Sequence, residues 1–117
     1  MGPAQLVRWQ WDGYFRYHGA RANLIIHIVA VPLFLVGNLA LVVALLRASV
    51  LWSAMGLACM VLAIGLQGRG HKLEKNPPEP FSGMGNAAAR IFLEQWVTFP
   101  RFVLSGGWIR ALRAAGI

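Results

Sequence analysis

The chain has 117 residues, of which 57% are hydrophobic and 13% are charged, and its formal net charge is +7. This length is enough for one domain, and so high an apolar share exceeds that of water-soluble domains. The composition therefore argues against a soluble globular protein and favours a membrane protein.

Residues 1–22 mix aromatic and charged side chains, as in the stretch QLVRWQWDGYFRYH. Such a mixture is typical of a helix at a membrane interface, where tryptophan and tyrosine are enriched. The segment contains no apolar run of the kind found in a removable signal peptide. We therefore expect the apolar stretch that follows to remain in the mature protein.

Residues 23–67 contain two long apolar stretches separated by a turn at Arg47–Val50. As helices, Leu24–Leu46 would cover about 34 Å and Val50–Leu66 about 26 Å, against a hydrocarbon core of roughly 30 Å. A soluble protein would need a polar shell around such a helix pair, and the rest of the chain is too short to supply one. The sequence therefore predicts a transmembrane helical hairpin.

Residues 68–85 are polar and rich in proline and glycine, which predicts a loop. An apolar run follows in residues 86–117, where charges and a proline interrupt it at Glu94, Pro100 and Arg101. One straight span there would bury charge, so re-entrant, spanning and interfacial helices all stay open. Together the four parts predict an all-α polytopic membrane protein with a single membrane domain over residues 1–117.

Basic residues flank the two predicted spans on one side, at Arg8, Arg16, Arg21, Arg69, Lys72, Lys75 and Arg90. By the positive-inside rule the N-terminus and the polar loop are cytoplasmic, and we expect an integral protein of a bacterial inner membrane. Basic flanks of this kind attract anionic lipid head groups. The expected partner is therefore membrane lipid and not nucleic acid.

The three histidines, His18, His27 and His71, are the main candidates for chemistry. Folding the chain back about the turn maps position 27 onto 70 and position 23 onto 74, to within about one helical turn. The hairpin therefore predicts that His27 lies level with His71, and Asn23 level with Glu74. His18 reaches the same group if the aromatic helix folds across the open end of the hairpin.

Three imidazoles and the Glu74 carboxylate are suited to a divalent metal. Imidazole binds Fe, Zn or Cu, and histidines combined with a carboxylate and open positions are the pattern of non-haem Fe(II) chemistry. His71 and Glu74 would share a helical face if the helix continued beyond Leu66. From spacing alone, the alternative stays open that the histidines only hydrogen-bond to backbone and that Glu74 only forms a salt bridge.

The histidines lie in two sequence blocks, YHGARANLIIH at residues 17–27, with Val31-Pro32 after it, and QGRGHKLEKNPP at residues 67–78. The first block resembles the Y-H-x4-N-x3-H…P opening of the 2-hydroxy fatty acid dioxygenase family of small membrane proteins. The second resembles the Q-x-x-G-H-x-x-E-x-x-x-P motif of the same family. Near the C-terminus, Pro100–Val103 is similar to a weaker P-x-F-V segment.

The resemblance implies an Fe(II)-dependent enzyme of fatty acid α-oxidation, which uses O2 to convert a 2-hydroxy fatty acid into the acid one carbon shorter. It implies that His18, His27 and His71 are iron ligands or otherwise essential imidazoles. It also implies that Glu74 is a fourth ligand or supports one, and that Asn23 has an orienting role. Basic residues at head-group level would pair with the substrate carboxylate, and the candidates are Arg21, Arg69, Lys72 and Lys75. A role in membrane topology alone stays the alternative for these four.

Two rival functions come from other classes. A membrane anchor that binds haem through two histidines of facing helices would show a Soret band. A non-catalytic packing or scaffold subunit would tolerate the substitutions His27→Ala and His71→Ala. The sequence also leaves a homo-oligomer open.

Overall fold

The computed structural model describes residues 1–116, and the regular elements in this range are helices, so the predicted all-α class is confirmed. In chain order they are α1 (Pro3–Tyr17), α2 (Arg21–Leu46), α3 (Val50–His71), α4 (Met84–Leu93), a π-helical segment (Glu94–Thr98), α5 (Phe99–Leu104) and α6 (Gly107–Ala114).

The two longest helices, α2 and α3, pack against each other as the predicted hairpin. A short turn joins them, in which Ala48 has a φ of 52°. The Ser49 hydroxyl accepts a hydrogen bond of 3.3 Å from the Trp52 backbone N–H, which satisfies one free donor in the first turn of α3. Both helices are long and apolar enough to cross a membrane.

Glycines let the two helices approach closely in the middle of the hairpin. A Cβ atom at Gly37 would lie 2.9 Å from the Gly56 carbonyl oxygen, and one at Gly56 would lie 2.9 Å from the Leu41 backbone nitrogen. Side-chain carbons do not approach backbone atoms this closely without a shift of the helices. Small residues at this contact give the close packing that holds helices together in lipid.

Near the turn, the outer surface of the hairpin is apolar and is not covered by the other helices. We call this end the hairpin tip. Val36, Leu46, Val50 and Val61 are each more than half exposed. Only 28% of the most apolar window of α2 and 17% of that of α3 is buried inside the protein. The core helix of a water-soluble protein would not leave so much apolar surface uncovered, so this surface is suited to lipid.

The opposite end, where α2 begins and α3 ends, is covered by the other helices, and we call it the hairpin mouth. Leu24 of α2 packs in one apolar core with Tyr14 of α1 and with Phe99 and Phe102 of α5. Trp108 of α6 donates a hydrogen bond of 2.9 Å from Nε1 to the Leu24 carbonyl oxygen. The aromatic N-terminal helix therefore does fold across the open end of the hairpin.

The C-terminal region begins with a continuous helical run from Met84 to Leu104, in which the π-helical segment separates α4 from α5. A π-helical turn inside an α-helix is a local irregularity that is frequent at functional sites. The chain changes direction at Gly106, which has a φ of 82° that glycine adopts without strain. The helices of residues 84–114 pack on the mouth, and the three alternatives for their position in the membrane stay predictions.

The polar segment between α3 and α4, residues 72–83, crosses the mouth, and we call it the strap. Arg90 of α4 donates hydrogen bonds of 2.8 Å and 3.0 Å to the carbonyl oxygens of Glu79 and Pro80. Tyr17 of α1 donates from its hydroxyl to the Glu79 carboxylate at 3.2 Å. The strap is thus fastened to α4 on one side and to α1 on the other.

Candidate metal centre

Three helices bring the histidines together at the mouth. His18 directly follows α1, His27 lies in the second turn of α2, and His71 is the last residue of α3. The ring centroid of His18 lies 4.8 Å from that of His27 and 4.8 Å from that of His71, and the last two are 5.0 Å apart. The structure thus agrees with the prediction that the hairpin places His27 level with His71.

A carboxylate that was not among the sequence candidates completes this cluster. Glu94, the first residue of the π-helical segment, places Oε2 3.2 Å from His18 Nε2 and 3.5 Å from His27 Nε2. One ligand atom from each of these three residues and from His71 lies within 4.8 Å of the others. The sequence did contain a signal for Glu94, because an acidic residue inside an apolar run is costly unless it has a partner.

Backbone carbonyl groups select the tautomer of two of the rings. His18 Nδ1 lies 2.9 Å from the Tyr14 carbonyl oxygen, and His27 Nδ1 lies 3.0 Å from that of Asn23. A carbonyl oxygen only accepts, so in the neutral ring each Nδ1 carries the hydrogen and each Nε2 presents a lone pair. Metal-binding histidines are commonly oriented by a hydrogen bond of this kind.

Three ring nitrogens of the cluster are buried without a hydrogen-bond partner in the described part of the chain: Nε2 of His18, Nε2 of His27 and Nδ1 of His71. The short Nε2–Oε2 distances to Glu94 lack the geometry of hydrogen bonds. Buried polar atoms without partners are costly, and lone pairs that face a carboxylate repel unless a cation lies between them. A divalent metal would remove both penalties, so the donor set fits one.

Glu94 is ionised although it is largely buried. Burial by itself raises the pKa of this carboxyl group, but the close approach of the His18 and His27 rings outweighs burial. The balance holds the pKa of Glu94 well below its usual value. The Glu94 carboxylate therefore brings a negative charge to the cluster, which favours a bound cation.

Tyr14 contacts two of the four candidate ligands. Its hydroxyl donates a hydrogen bond of 2.6 Å to Glu94 Oε2, and its ring stacks on that of His18 with a centroid separation of 3.7 Å. Burial, together with the charge and hydrogen bond of Glu94, raises the pKa of Tyr14 well above its usual value. The phenol therefore stays protonated and keeps donating to the carboxylate.

A buried amide pair holds the π-helical segment against α3. Gln67 and Gln95 each donate a hydrogen bond of 2.8 Å to the side-chain oxygen of the other. The Thr98 hydroxyl also donates to the side-chain oxygen of Gln10 in α1. Because Gln95 directly follows Glu94, these bonds set the position of the Glu94 carboxylate, and π-helical turns are frequent at functional sites.

Glu74, which the sequence predicted as a metal ligand, lies outside the cluster in the structure. The helix that would have placed Glu74 on the face of His71 ends at His71 itself. The Glu74 carboxylate instead accepts hydrogen bonds from the backbone N–H groups of Gly19 and Ala20, at 3.0 Å and 3.1 Å, and from Asn23 Nδ2, at 2.7 Å. Glu74 thus caps the N-terminus of α2, where a negative charge is favourable.

Asn23 is fully buried and level with Glu74, as the hairpin predicted. Its carbonyl oxygen orients His27, and its side-chain oxygen faces Gly70 of α3. A Cβ atom at Gly70 would lie only 2.1 Å from that oxygen. Asn23 therefore occupies space that only a glycine at position 70 leaves free.

A cavity of about 830 Å³ opens beside the cluster, and its wall includes His18, His71 and Glu94. The other walls come from α1, α3, the strap and α4. This volume lies within the range of small-molecule binding sites, which is roughly 300–1,000 Å³. The candidate metal centre is thus accessible to a ligand of substantial size.

Three basic residues line this cavity, namely Arg16, Lys72 and Arg90. Lys72 is one of the four sequence candidates for binding a substrate carboxylate. The other three candidates are exposed and lie outside the cavity lining: Arg21, Arg69 and Lys75. Arg16 and Arg90 were not among the candidates. In the sequence, a basic residue near a membrane span usually indicates only the orientation of the span in the membrane.

Comparison with known proteins identifies a family for the chain. No curated protein and no solved structure matches the chain. Residues 4–101 match the model of a protein family described as 2-hydroxy-palmitic acid dioxygenase Mpo1-like, and this range contains the three histidines and Glu94. The match spans most of the chain and includes both histidine blocks, so the protein belongs to the Mpo1-like family.

Proposed function

We propose that the protein is a membrane dioxygenase that converts a 2-hydroxy fatty acid and O2 into the fatty acid one carbon shorter. The C1–C2 bond breaks, the hydroxyl-bearing carbon becomes the new carboxyl carbon, and the old carboxyl carbon leaves as CO2 together with water. The substrate loses four electrons and O2 gains four. The overall reaction therefore balances without a further reductant.

The observation that carries this proposal is the convergence of unpartnered imidazole nitrogens on an ionised carboxylate. His18, His27, His71 and Glu94 would hold the metal. Histidine and carboxylate donors with open coordination positions are typical of non-haem Fe(II) enzymes. Fe(II) in this site would supply the binding and activation of O2 beside the substrate.

Other residues of the site would bind and orient. Lys72, in the cavity wall, is suited to pair with the substrate carboxylate, because its ammonium group is a compact positive charge. Tyr14 holds the Glu94 carboxylate in place. The carbonyl groups behind His18 and His27 keep both rings in the form that presents Nε2 to the metal.

We further infer that the mouth lies at the head-group layer of the cytoplasmic leaflet. The basic residues of the chain are concentrated beside the mouth, with Arg47 in the turn at the tip, and the positive-inside rule assigns such an end to the cytoplasm. This position would set the polar end of a membrane-bound fatty acid level with the metal centre.

The two rival functions are less well supported. The three imidazole rings contact one another edge to face, with centroids no more than 5.0 Å apart, whereas an anchor that binds haem through two histidines needs space for a porphyrin between the rings. A scaffold subunit without chemistry leaves the buried nitrogens of the cluster unexplained.

Metal analysis of anaerobically purified protein, followed by a turnover assay, tests the proposal. We expect stoichiometric iron, no Soret band and, after addition of 2-hydroxypalmitic acid and O2, the appearance of the C15 acid. Palmitic acid without the 2-hydroxyl group is the matched control and should not be consumed. Iron-loaded protein that leaves 2-hydroxypalmitic acid intact in the presence of O2 would contradict the proposed reaction.

A further inference from the structure

One face of α3 forms a wall of the cavity. Ile64, Gly68 and His71 all line it, and their spacing of four and three residues places them on the same side of the helix. From Ile64 to His71 this face extends about 10 Å along the helix axis. We call it the α3 track, because it begins at the metal cluster and continues towards the middle of the hairpin.

The wall of the cavity changes from polar to apolar along the α3 track. At the cluster end it contains His71 and Lys72, and the apolar residues Ile64 of α3 and Ile91 of α4 also line the cavity. The lining includes Gln67 and Gln95 as well, whose amides are satisfied by bonding to each other. Ile91 also packs against the apolar core between α2 and α3. Ile64 is 40% exposed on a helix that is long and apolar enough to cross a membrane, so we place the apolar end of the track next to the bilayer.

Gly68 keeps the middle of the α3 track open. A Cβ atom at Gly68 would meet no other atom within 4 Å, so nothing in the fold requires a glycine there. Glycine inside a helix lowers stability relative to alanine, and a larger residue at this position would narrow the cavity. Gly65 is equally free of neighbours but lies outside the cavity lining.

We propose that the α3 track binds the acyl chain of the substrate, and that the chain passes Ile64 into the surrounding lipid. The proposal rests on the proposed function, since it requires the 2-hydroxy carboxylate end of the ligand at the metal cluster. A ligand with a charged head and an apolar tail matches the order of groups along the wall. Lateral entry also lets such a ligand reach the site without leaving the leaflet.

The substitution Gly68→Trp tests the track in the full-length, iron-loaded protein in lipid nanodiscs. We expect the ratio of kcat/KM for 2-hydroxypalmitate to kcat/KM for 2-hydroxyhexanoate to fall at least roughly tenfold, as exclusion of a few methylene groups from apolar contact requires. Gly65→Trp adds the same side chain outside the lining and should keep the wild-type ratio. A wild-type ratio in Gly68→Trp would overturn the proposal.

Photo-cross-linking provides a readout that does not depend on turnover. The probe is 2-hydroxypalmitic acid with a diazirine in the middle of its chain. We expect cross-links to residues 64–68 and to Ile91, and their loss in Gly68→Trp. Cross-links confined to the exposed hairpin tip, and unchanged in Gly68→Trp, would overturn the proposal.

These measurements separate the acyl site from the proposed reaction. If wild-type protein consumes neither acid but the probe labels the α3 track, the proposed reaction fails and the acyl site stands. If wild type, Gly68→Trp and Gly65→Trp consume both acids with the same ratio of kcat/KM values, the proposed reaction is supported and the acyl site is contradicted. Gly68→Trp should bind Co²⁺ as wild type does. If it loses Co²⁺, the change in the kcat/KM ratio comes from damage to the metal cluster, and the proposal for the α3 track is contradicted.

Discussion

The two ends of the hairpin consist of the same two helices but are stabilised in different ways. At the mouth, α1 and the C-terminal helices cover polar side chains such as Asn23, His27 and Gln67. At the tip, Leu46 and Val50 are 83% and 85% exposed. A polar group removed from water needs a partner, whereas an apolar side chain in lipid needs none, so the mouth requires a cover and the tip does not.

The contact between α2 and α3 also differs between the middle of the hairpin and the mouth. In the middle of the hairpin, Gly37 and Gly56 allow the backbones to touch, whereas at the mouth Gly70 makes room for the side chain of Asn23. The close packing at the glycine contact sets the distance between the helices, and the polar contacts at the mouth set the positions of the histidines. Changes to the clustered side chains and the groups that orient them should therefore affect metal binding, whereas changes elsewhere should affect stability.

The largest expected effect is that of His27→Ala. It removes a ring that is fully buried among the other candidate ligands. We expect the variant to lose stoichiometric metal. Turnover should fall by more than the roughly 10–100-fold that is typical when a residue supporting a metal ligand is removed, because His27 is itself a candidate ligand. The measurements are metal analysis and consumption of 2-hydroxypalmitic acid. Cys59→Ala, which alters a free thiol in the apolar part of α3 away from the cluster, should match wild type. Retained metal in His27→Ala would place the site elsewhere.

A pair of glutamate substitutions compares the carboxylate inside the cluster with the one outside it. Glu94→Gln should weaken Co²⁺ binding strongly, because it removes the negative charge that faces His18 and His27.

Glu74→Gln should leave the metal stoichiometry unchanged and lower the free energy of unfolding by about 1–3 kcal/mol, the usual contribution of a hydrogen bond to a charged group. Titration with Co²⁺ and thermal unfolding in detergent measure the two effects. The reverse result, with metal lost in Glu74→Gln and kept in Glu94→Gln, would favour the ligand set derived from the sequence motif.

Two tyrosine substitutions test the orientation of Glu94. Tyr14→Phe keeps the ring stacked on His18 but removes the 2.6 Å hydrogen bond to Glu94. We expect metal affinity to fall about 10–100-fold, with a shift of the visible absorption bands of the Co²⁺ form. Tyr17→Phe removes only the hydrogen bond to Glu79 in the strap and should retain the wild-type spectrum. Identical spectra for all three proteins would exclude an orienting role for Tyr14.

The smallest expected effect on the site comes from the glycine contact. Gly37→Ala forces a Cβ atom against the Gly56 carbonyl oxygen and should lower the free energy of unfolding by about 1–3 kcal/mol. Metal stoichiometry should stay at the wild-type value, because the contact lies away from the mouth. Gly65→Ala, which meets no neighbour within 4 Å, is the control and should not be less stable than wild type. Metal loss in Gly37→Ala would show that the helix spacing also controls the site.

The family motifs and the hairpin were readable from the sequence because both depend on local features. A run of apolar residues reports a long helix, and a turn of three or four residues forces the next helix to return beside it. The relative depth of His27 and His71 follows from counting residues on both sides of that turn. The same count placed Asn23 beside Glu74, where the structure shows a hydrogen bond of 2.7 Å.

The fourth member of the cluster depended on the tertiary structure. The motif placed Glu74 three residues after His71, but α3 ends at His71 and Glu74 turns away to cap α2. Glu94 is 23 residues after His71. It reaches the histidines only because the π-helical segment, held by the Gln67–Gln95 pair, packs across the mouth.

The sequence by itself thus determined that the protein is an all-helical hairpin of the Mpo1-like family with three histidines at one end. Only the tertiary structure decided which carboxylate joins them, which tyrosine holds that carboxylate, and where a cavity opens beside it. The physical reason is the range of the interactions. Helix length and turn position follow from neighbouring residues, whereas the position of Glu94 depends on packing between segments far apart in the chain.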